Sequence, residues 1–285
     1  MTASILDGIV LGLQFGLLAA GLTLVYGLGG VLNLAYGQIA VVSGLVTLLT
    51  MEAGLPAVPA ALLGLVTGGV LGLVLDMTIL QPVYRRSGEA RVLLSLLLTL
   101  GAAFVIDGYL NWRYPLKGLN LRISGEPLVI FGVRMRMGSV VASIITLVVI
   151  GVLYWLFRYT RLGRAVRSVI QDEEGSRLVG IDPQVMMRLI LVLSGVLAGV
   201  VAITRSMVAP VNVRAGFSLT VLGLIVTVVG GLGSISGAFL AGLVLGIINS
   251  VASSYIGTFL SLIILLVAAA VTIVIRPAGL LGVRE

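Results

Sequence analysis

Two long stretches without a charged residue constrain the fold of this chain more than any other feature. One lies between Asp7 and Glu52, and the other lies between Arg214 and Arg276. A helix needs about 20 apolar residues to cross a bilayer, so the first stretch has room for two crossings and the second for three. The chain is 59% hydrophobic and 10% charged, whereas a soluble domain is about 25% charged. The sequence therefore predicts an all-α integral membrane protein.

Turn signals divide the apolar chain into nine candidate membrane segments. Turns rich in glycine or serine begin at Gly27, Gly230 and Ser253, and charged loops separate the other segments. The nine segments are residues 9–27, 33–50, 57–80, 91–110, 138–157, 187–208, 217–232, 236–253 and 257–275. We therefore expect a polytopic helical bundle with about eight or nine transmembrane segments, some of them broken at glycine residues.

The basic residues predict how this bundle is oriented, because cytoplasmic loops carry an excess of Arg and Lys. One arrangement places eleven of the eighteen basic residues inside the cell and seven outside. The inner set consists of Arg85, Arg86, Arg91, the six arginines from Arg158 to Arg188, Arg276 and Arg284. The N-terminus is then expected outside and the C-terminus inside. Residues 111–137 form the external loop, and residues 159–186 form the main cytoplasmic loop.

Small residues recur at every fourth position in several segments, and glycine turns recur in both halves of the chain. Gly8, Gly12 and Gly16 form one such row, which favours close packing of helix backbones within the bundle over a separate dimer motif. The turns that begin at Gly27 and Gly230 each lie between two uncharged segments. They suggest an inverted repeat, as found in transporters with broken helices. Two unrelated glycine turns explain them equally well.

The polar stretch QDEEGSRLVGIDPQ interrupts this apolar chain. Its residues 171–179 are predicted to form a short helix on the inner surface. Three acidic residues fall in the first turn, where the helix dipole favours anions, and Glu173 precedes Arg177 by four residues. Gly180 is expected to cap the C-terminus, and Asp182 is expected to cap the next membrane helix. A solvated loop helix without a partner explains the same pattern.

Four blocks of the sequence resemble the H-type subunit of the branched-chain amino acid permease family. In chain order they are VYGLGGVLNLAYGQIAVVSG, RYTRLGRAVRSVIQDEEGSRLVGID, VVGGLGSISGAFLAGLVLGI and RPAGLLG. Within the second block, EGSRLVG is similar to the E-A-A-x-x-x-G docking signature of importer permeases of the ATP-binding cassette class. Gly175 and Ser176 replace its two alanines. A further difference is Tyr36, where members of the family often have His.

The resemblance implies the permease subunit of an ATP-driven importer (ABC transporter) for branched-chain or related amino acids in the bacterial inner membrane. Residues 1–285 would be a single transmembrane permease domain. The implied partners are a second permease subunit, either a paralogue or a copy, two cytoplasmic ATPase subunits and an external solute-binding protein. No nucleic acid partner, cofactor or metal is expected on this chain. The residues expected to couple to the ATPase are Glu173, Glu174, Arg177, Gly180 and Asp182.

The composition excludes several classes of protein and leaves one main alternative. The chain has no Cys and no His, which excludes disulfides, imidazole catalysis and the usual zinc sites. Lys117, the single lysine, is not in a phosphate-binding loop, so we expect ATP hydrolysis on partner subunits and no enzyme activity here. The alternative is an ion-coupled secondary transporter, which usually places ionisable residues within the membrane. Asp76 and Asp107 come nearest, and both are expected at interfaces. A scaffold without a transport role leaves the glycine breaks unexplained.

A zwitterionic solute needs a path lined by neutral hydrogen-bonding groups, because apolar walls exclude it and charged walls bind it too tightly. The glycine turns supply such groups. The predicted path residues are Asn33, Tyr36, Gly37, Gln38, Gly230, Gly231, Gly233 and Ser234. The alternative is that these groups only satisfy helix ends.

The external loop contains LRIS and LVIFGV on either side of GEP, a pattern that predicts a short hairpin. We expect part of this loop to contact the solute-binding protein. A lid over the bundle is the alternative interpretation.

Overall fold

The computed structural model describes residues 2–86, 88–121, 123, 125–130, 132–276 and 279–281. The helices are α1 (Thr2–Gly29), α2 (Tyr36–Glu52), α3 (Ala57–Leu75), α4 (Gly88–Arg113), α5 (Met137–Tyr159), α6 (Arg161–Gln171), α7 (Glu173–Leu178), α8 (Pro183–Val208), α9 (Gly216–Gly230), α10 (Ile235–Ile256) and α11 (Thr258–Ile275). A π-helical turn, Asp76–Leu80, extends α3. Each of the nine predicted segments corresponds to one of these helices. Within the described residues, seven helices are long and apolar enough to cross a membrane, and α2 and the Leu260–Thr272 part of α11 are shorter.

Four short strands lie at one end of the bundle, which we call the hairpin end. They are β1 (Gly118–Leu119), β2 (Leu128–Ile130), β3 (Val133–Met135) and β4 (Val211–Asn212). β1 pairs with β4, and β2 pairs with β3, both antiparallel. The opposite end holds α6, α7 and most of the arginine-rich loops, and we call it the basic end.

The external loop contains a hairpin, but its strands differ from those predicted: both β2 and β3 come after the GEP sequence, and neither comes from LRIS. Ile130 of β2 pairs with Val133 of β3. Gly132, just before β3, has a positive φ of 77°, a conformation that glycine often supplies in hairpin turns. In the LRIS block, Leu121 donates its backbone N–H to Ser206 at 3.1 Å, whereas Arg122 and Ser124 lie outside the described residues.

The rows of small residues pack helices within the bundle, as predicted. A Cβ atom built on Gly12 would lie 2.7 Å from the Cα of Leu243 in α10, and one built on Gly8 would lie 2.8 Å from the Cα of Ile247. In α3, Gly68 and Gly72 meet the backbone of α8 in the same way. These glycines are required because two helix backbones approach too closely for any side chain at the contact.

The described helices contain an inverted repeat, formed by α1, α2 and α3 on one side and by α8, α9 and α10 on the other. α8 is antiparallel to α1: Ser194 Oγ donates to the carbonyl of Gly21 at 2.9 Å, and Gln14 Nε2 donates to the carbonyl of Thr204 at 3.4 Å. Each of these helices is followed by a segment without α-helix and then by a short helix, α2 or α9. The close contact of α1 with α10 is matched by that of α8 with α3.

The counterpart of the first break is therefore not the turn that the sequence suggested. The first break, residues 30–35, enters the bundle from the basic end and leads into α2. Its inverted equivalent is residues 209–215, which enter from the hairpin end and lead into α9. The turn at Gly230 lies at the same end as the first break, since a Cβ built on Gly27 would be 3.0 Å from the Cα of Gly233. Two turns at one end cannot be related by inversion.

Candidate functional site

The polar stretch at the basic end folds into two helices, α6 and α7, with Asp172 between them. Asp172 has extended backbone and its carboxylate accepts hydrogen bonds from the N–H groups of Glu174 and Gly175, at 3.1 and 3.0 Å. The prediction of one helix over residues 171–179 is thus wrong at its start. Asp172 is the N-cap rather than a first-turn residue, because its short side chain reaches the free amides of the next turn.

The predicted end of this helix is confirmed. Gly180 has a φ of 82° and ends α7, while Asp182 Oδ1 accepts from the N–H of Gln184 at 2.9 Å and caps α8. Arg177 pairs with Glu173 at 3.3 Å, as the four-residue spacing predicted. Glu174 is exposed. The order of caps fixes how the chain leaves α7 and enters the membrane helix α8.

A chain of polar contacts connects α7 to three membrane helices. Glu173 pairs with Arg91 of α4 at 3.4 Å, and the Arg91 guanidinium lies 5.7 Å from the ring centroid of Tyr84. The Tyr84 hydroxyl donates to Asp76 at 2.5 Å, and Arg188 of α8 donates to the same carboxylate at 3.1 Å. A displacement of α7 would therefore strain these contacts and be transmitted to α3, α4 and α8.

Asp76 lies at the end of α3 that faces the basic end of the bundle. Its side chain is 2% exposed within the protein and is held by Tyr84 and Arg188. A buried carboxylate needs such partners, because burial without them is costly. Burial, together with the hydrogen bond to Asp76, raises the pKa of the Tyr84 phenol, so Tyr84 remains a donor. The partially exposed Asp107 accepts from Asn111 Nδ2 at 2.9 Å.

Two hydroxyl side chains of α4 bind the backbone of the first break. Neither was predicted from the sequence. The N–H of Leu32 donates to Ser95 Oγ at 3.1 Å, and the N–H of Leu34 donates to Thr99 Oγ1 at 3.0 Å. Asn33 Oδ1 accepts from the N–H of Ala35 at 3.0 Å. The only signal in the sequence was a Ser and a Thr four residues apart on one face of an apolar helix. Asn33 thus forms a local turn just before α2, whose N-cap residue is Ala35.

The N-termini of α2 and α9 meet inside the bundle, where each of the two inverted breaks ends. The N–H of Gly37 donates to Thr220 Oγ1 at 2.8 Å, and this hydroxyl also approaches the carbonyl of Leu34 at 3.2 Å. The Gln38 side chain lies against Gly216, the first residue of α9, since a Cβ built there would be 3.1 Å from it. Two partial positive charges of helix N-termini are thereby placed close together in a membrane protein interior.

In the part of the chain that the structure describes, two buried polar groups beside these N-termini have no hydrogen-bond partner. Tyr36 is 0% exposed and Gln38 is 1% exposed. The Tyr36 hydroxyl, which lies against Gly21 of α1, and Gln38 Oε1 have no hydrogen-bond partner among the described residues. Because buried polar groups are nearly always hydrogen-bonded, these two atoms keep the capacity for a further hydrogen bond.

A comparison with protein families bears directly on this arrangement. The model of the family described as "Branched-chain amino acid transport system / permease component" matches residues 4–275. The chain belongs to this permease family. The permease is therefore a transport subunit and not an enzyme, and its family supports the interpretation as a permease component over an ion-coupled secondary transporter.

Named relatives of the permease align along nearly the whole chain. It is 26% identical over 294 residues to the high-affinity branched-chain amino acid transport system permease protein LivH of Escherichia coli K12, covering 98% of this chain and 94% of the relative. It is 26% identical to BraD of Pseudomonas aeruginosa, covering 99% and 95%. It is 28% identical to a probable LivH of Methanocaldococcus jannaschii, covering 94% and 88%.

The eight predicted path residues of the permease fall into two groups. The first group, around residues 33–38, lies at the meeting of the α2 and α9 N-termini. The second group, Gly230 to Ser234, lies at the other end of α9, which is about 22 Å long by its 15 residues. There Ser234 Oγ accepts from the N–H of Gly237 at 3.1 Å and caps α10, and Leu280 donates its N–H to Val229 at 2.9 Å. The second group is thus a packed turn at the basic end.

Proposed function

We propose that this permease is the membrane subunit of an ATP-driven importer of branched-chain or related amino acids in the bacterial inner membrane. Its family implies ATPase and substrate-binding partners in general. The more specific assembly is a second permease subunit, paralogous or identical, with two cytoplasmic ATPases and one external binding protein. The observation that carries the proposal is the contact chain from Glu173 through Arg91, Tyr84 and Asp76 to Arg188, because an importer must transmit ATPase motion to its membrane helices.

The coupling surface in this proposal is α7 with the turn that follows it. Leu178 is 90% exposed and Val179 is 71% exposed, although both are apolar and lie among charged residues. A partner that covers them gains hydrophobic burial of about 1.5–3 kcal/mol for each side chain. Glu174 and Arg177 precede this apolar pair, and Gly180 and Asp182 set the path of the chain after it. The ATPase would therefore bind α7, and its motion would reach α3, α4 and α8 through the contacts of Glu173.

The translocation path in this proposal passes the meeting point of α2 and α9. Helix N-termini attract a carboxylate, and the free Tyr36 hydroxyl and Gln38 Oε1 supply neutral hydrogen-bonding groups. Asn33 Oδ1 and the N–H of Gly37 already have hydrogen-bond partners, so their role in this proposal is to hold the break in place. Gly230, Gly231, Gly233 and Ser234 form the turn at the basic end, where the solute would leave.

The proposed orientation places the basic end inside the cell and the hairpin end outside. The C-terminus is then cytoplasmic. The positive-inside excess supports it, and so does the position of α7, which must reach an ATPase in the cytoplasm. A single cysteine at exposed Ala57, at the hairpin end, should react with an impermeant thiol reagent added to intact cells.

Two measurements test the proposal. Purification of the permease from cells that express its partners should recover ATPase subunits in stoichiometric amount, and a permease that transports amino acids without them would contradict it. Single cysteines at Tyr36 and Gln38 should be labelled by a water-soluble thiol reagent at rates that change when ATP is added to the complex. A cysteine at Ala57 is the control. Uniformly unreactive positions would mean that Tyr36 and Gln38 are structural residues only.

A further inference from the structure

A cavity of about 490 Å³ opens at the hairpin end between α1, the end of α10, the start of α5 and the β2–β3 hairpin. Small-molecule sites in proteins have volumes of about 300–1,000 Å³, so the cavity is large enough for an amino acid with several waters. Its walls combine charged, hydroxyl and apolar side chains. Its lining residues do not include any residue of α2 or α9, so the cavity is separate from their meeting point.

Charges of both signs face this cavity. Asp7 lies on α1, Arg134 lies on β3, and Arg136 precedes α5. Within the described part of the chain, the ion pairs closer than 4 Å involve none of these three residues. The carboxylate and the two guanidinium groups therefore line one space without a direct ion pair between them among the described contacts. A molecule that carries both a carboxylate and an ammonium group can satisfy both signs at once.

The remaining walls fit the other parts of such a molecule. Asn249 and Ser253 on α10 offer neutral hydrogen-bonding groups, and Val10, Leu11 and Val208 form an apolar surface. An apolar amino acid carries its ammonium group and its branched side chain on the same carbon atom. The polar wall would then face the ammonium group, and the apolar wall would face the side chain. A simple cation or anion would use only half of the lining.

We propose that this cavity is an entry site for the zwitterion of an apolar amino acid, and the inference rests on the proposed importer function. The carboxylate lies toward Arg134 and Arg136, the ammonium group lies toward Asp7, and the side chain lies on Val10 and Leu11. Because the cavity is open and the charged groups are exposed, binding is weak. Weak binding suits a site that receives the solute and passes it on.

Protection of a single cysteine tests the occupant directly, since the chain has no cysteine of its own. In the assembled complex, Ser253→Cys should react more slowly with a water-soluble thiol reagent when millimolar L-leucine is present. Leucinamide, which lacks the carboxylate, and isovalerate, which lacks the ammonium group, should protect much less. Ala57→Cys, exposed at the same end, should be unaffected by all three. Equal protection by the three compounds, or none by leucine, overturns the inference.

Charge variants give a second readout in reconstituted uptake. Asp7→Asn, and Arg134→Gln combined with Arg136→Gln, should each raise the KM for leucine uptake about tenfold with little change in kcat. Asp7→Glu keeps the charge and should stay close to the wild-type KM. If the complex transports leucine but these variants leave KM unchanged, the entry site is wrong and the proposed function stands. If the wild-type complex transports no amino acid, the proposed function itself fails.

Discussion

Replacement of Gly180 by valine should lower the affinity of the ATPase for the permease. Gly180 has a φ of 82°, a conformation that costs an L-residue roughly 1–2 kcal/mol and is least accessible to a β-branched side chain. A Cβ built on Gly180 meets no heavy atom within 4 Å. The cost is therefore purely one of backbone conformation, with no contribution from a clash.

The magnitude follows from the population of the capped turn. A penalty of 1–2 kcal/mol lowers the ratio of capped to uncapped forms by about 5- to 30-fold. In the capped form the N–H of Ile181 donates to the carbonyl of Ser176 at 2.9 Å, which directs the chain toward Asp182 and α8. If the ATPase binds only this form, its apparent affinity falls by up to the same factor.

The assay is a titration of the purified ATPase against the permease in nanodiscs, together with transport-linked ATP hydrolysis. Asparagine tolerates the left-handed region best among the ordinary residues, so Gly180→Asn should lose least, Gly180→Ala more, and Gly180→Val most. Gly54 offers a matched control, because it has a φ of 97° and no heavy atom near its Cβ position, but lies at the hairpin end. Gly54→Val should leave ATPase affinity unchanged. Wild-type affinity for Gly180→Val would refute the coupling role assigned to this turn.

Three other perturbations probe different parts of the fold. Gly12→Ala should destabilise the bundle by roughly 1–3 kcal/mol, because the α10 backbone leaves no room for a methyl group. Gly108→Ala is the control and should not destabilise it, because a Cβ atom built on Gly108 meets no heavy atom within 4 Å. Thermal unfolding of both variants in detergent compares them. Asp76→Asn should cost roughly 1–3 kcal/mol through loss of its charged hydrogen bonds, and an unchanged unfolding temperature would contradict the importance of the contact chain. Charge reversal at Arg113 and Lys117 should lower the affinity of the binding protein less at high salt than at low salt, and an affinity that does not change at low salt would argue against docking on this loop.

The helices and their ends were determined by local sequence. Nine apolar segments, the breaks after Gly27 and Gly230, the C-cap at Gly180 and the N-cap at Asp182 could all be predicted. Each depends on the hydrophobicity of about 20 consecutive residues or on hydrogen bonds that span at most a few residues. The wrong prediction at Asp172 was also local. An acidic residue suits the N-cap and the first turn equally well, so the sequence pattern does not show which of two adjacent positions Asp172 occupies.

The site was decided by tertiary structure. The bonds from Ser95 and Thr99 to the first break span 63 and 65 residues, and the pair of Asp76 with Arg188 spans 112. Lipid is as apolar as the side chains it touches, so hydrophobic pattern does not specify which faces of membrane helices pack together. Close backbone contacts and hydrogen bonds between helices make that choice. They bring the α2 and α9 N-termini together beside Tyr36 and Gln38, whose side chains carry polar atoms without a partner among the described residues.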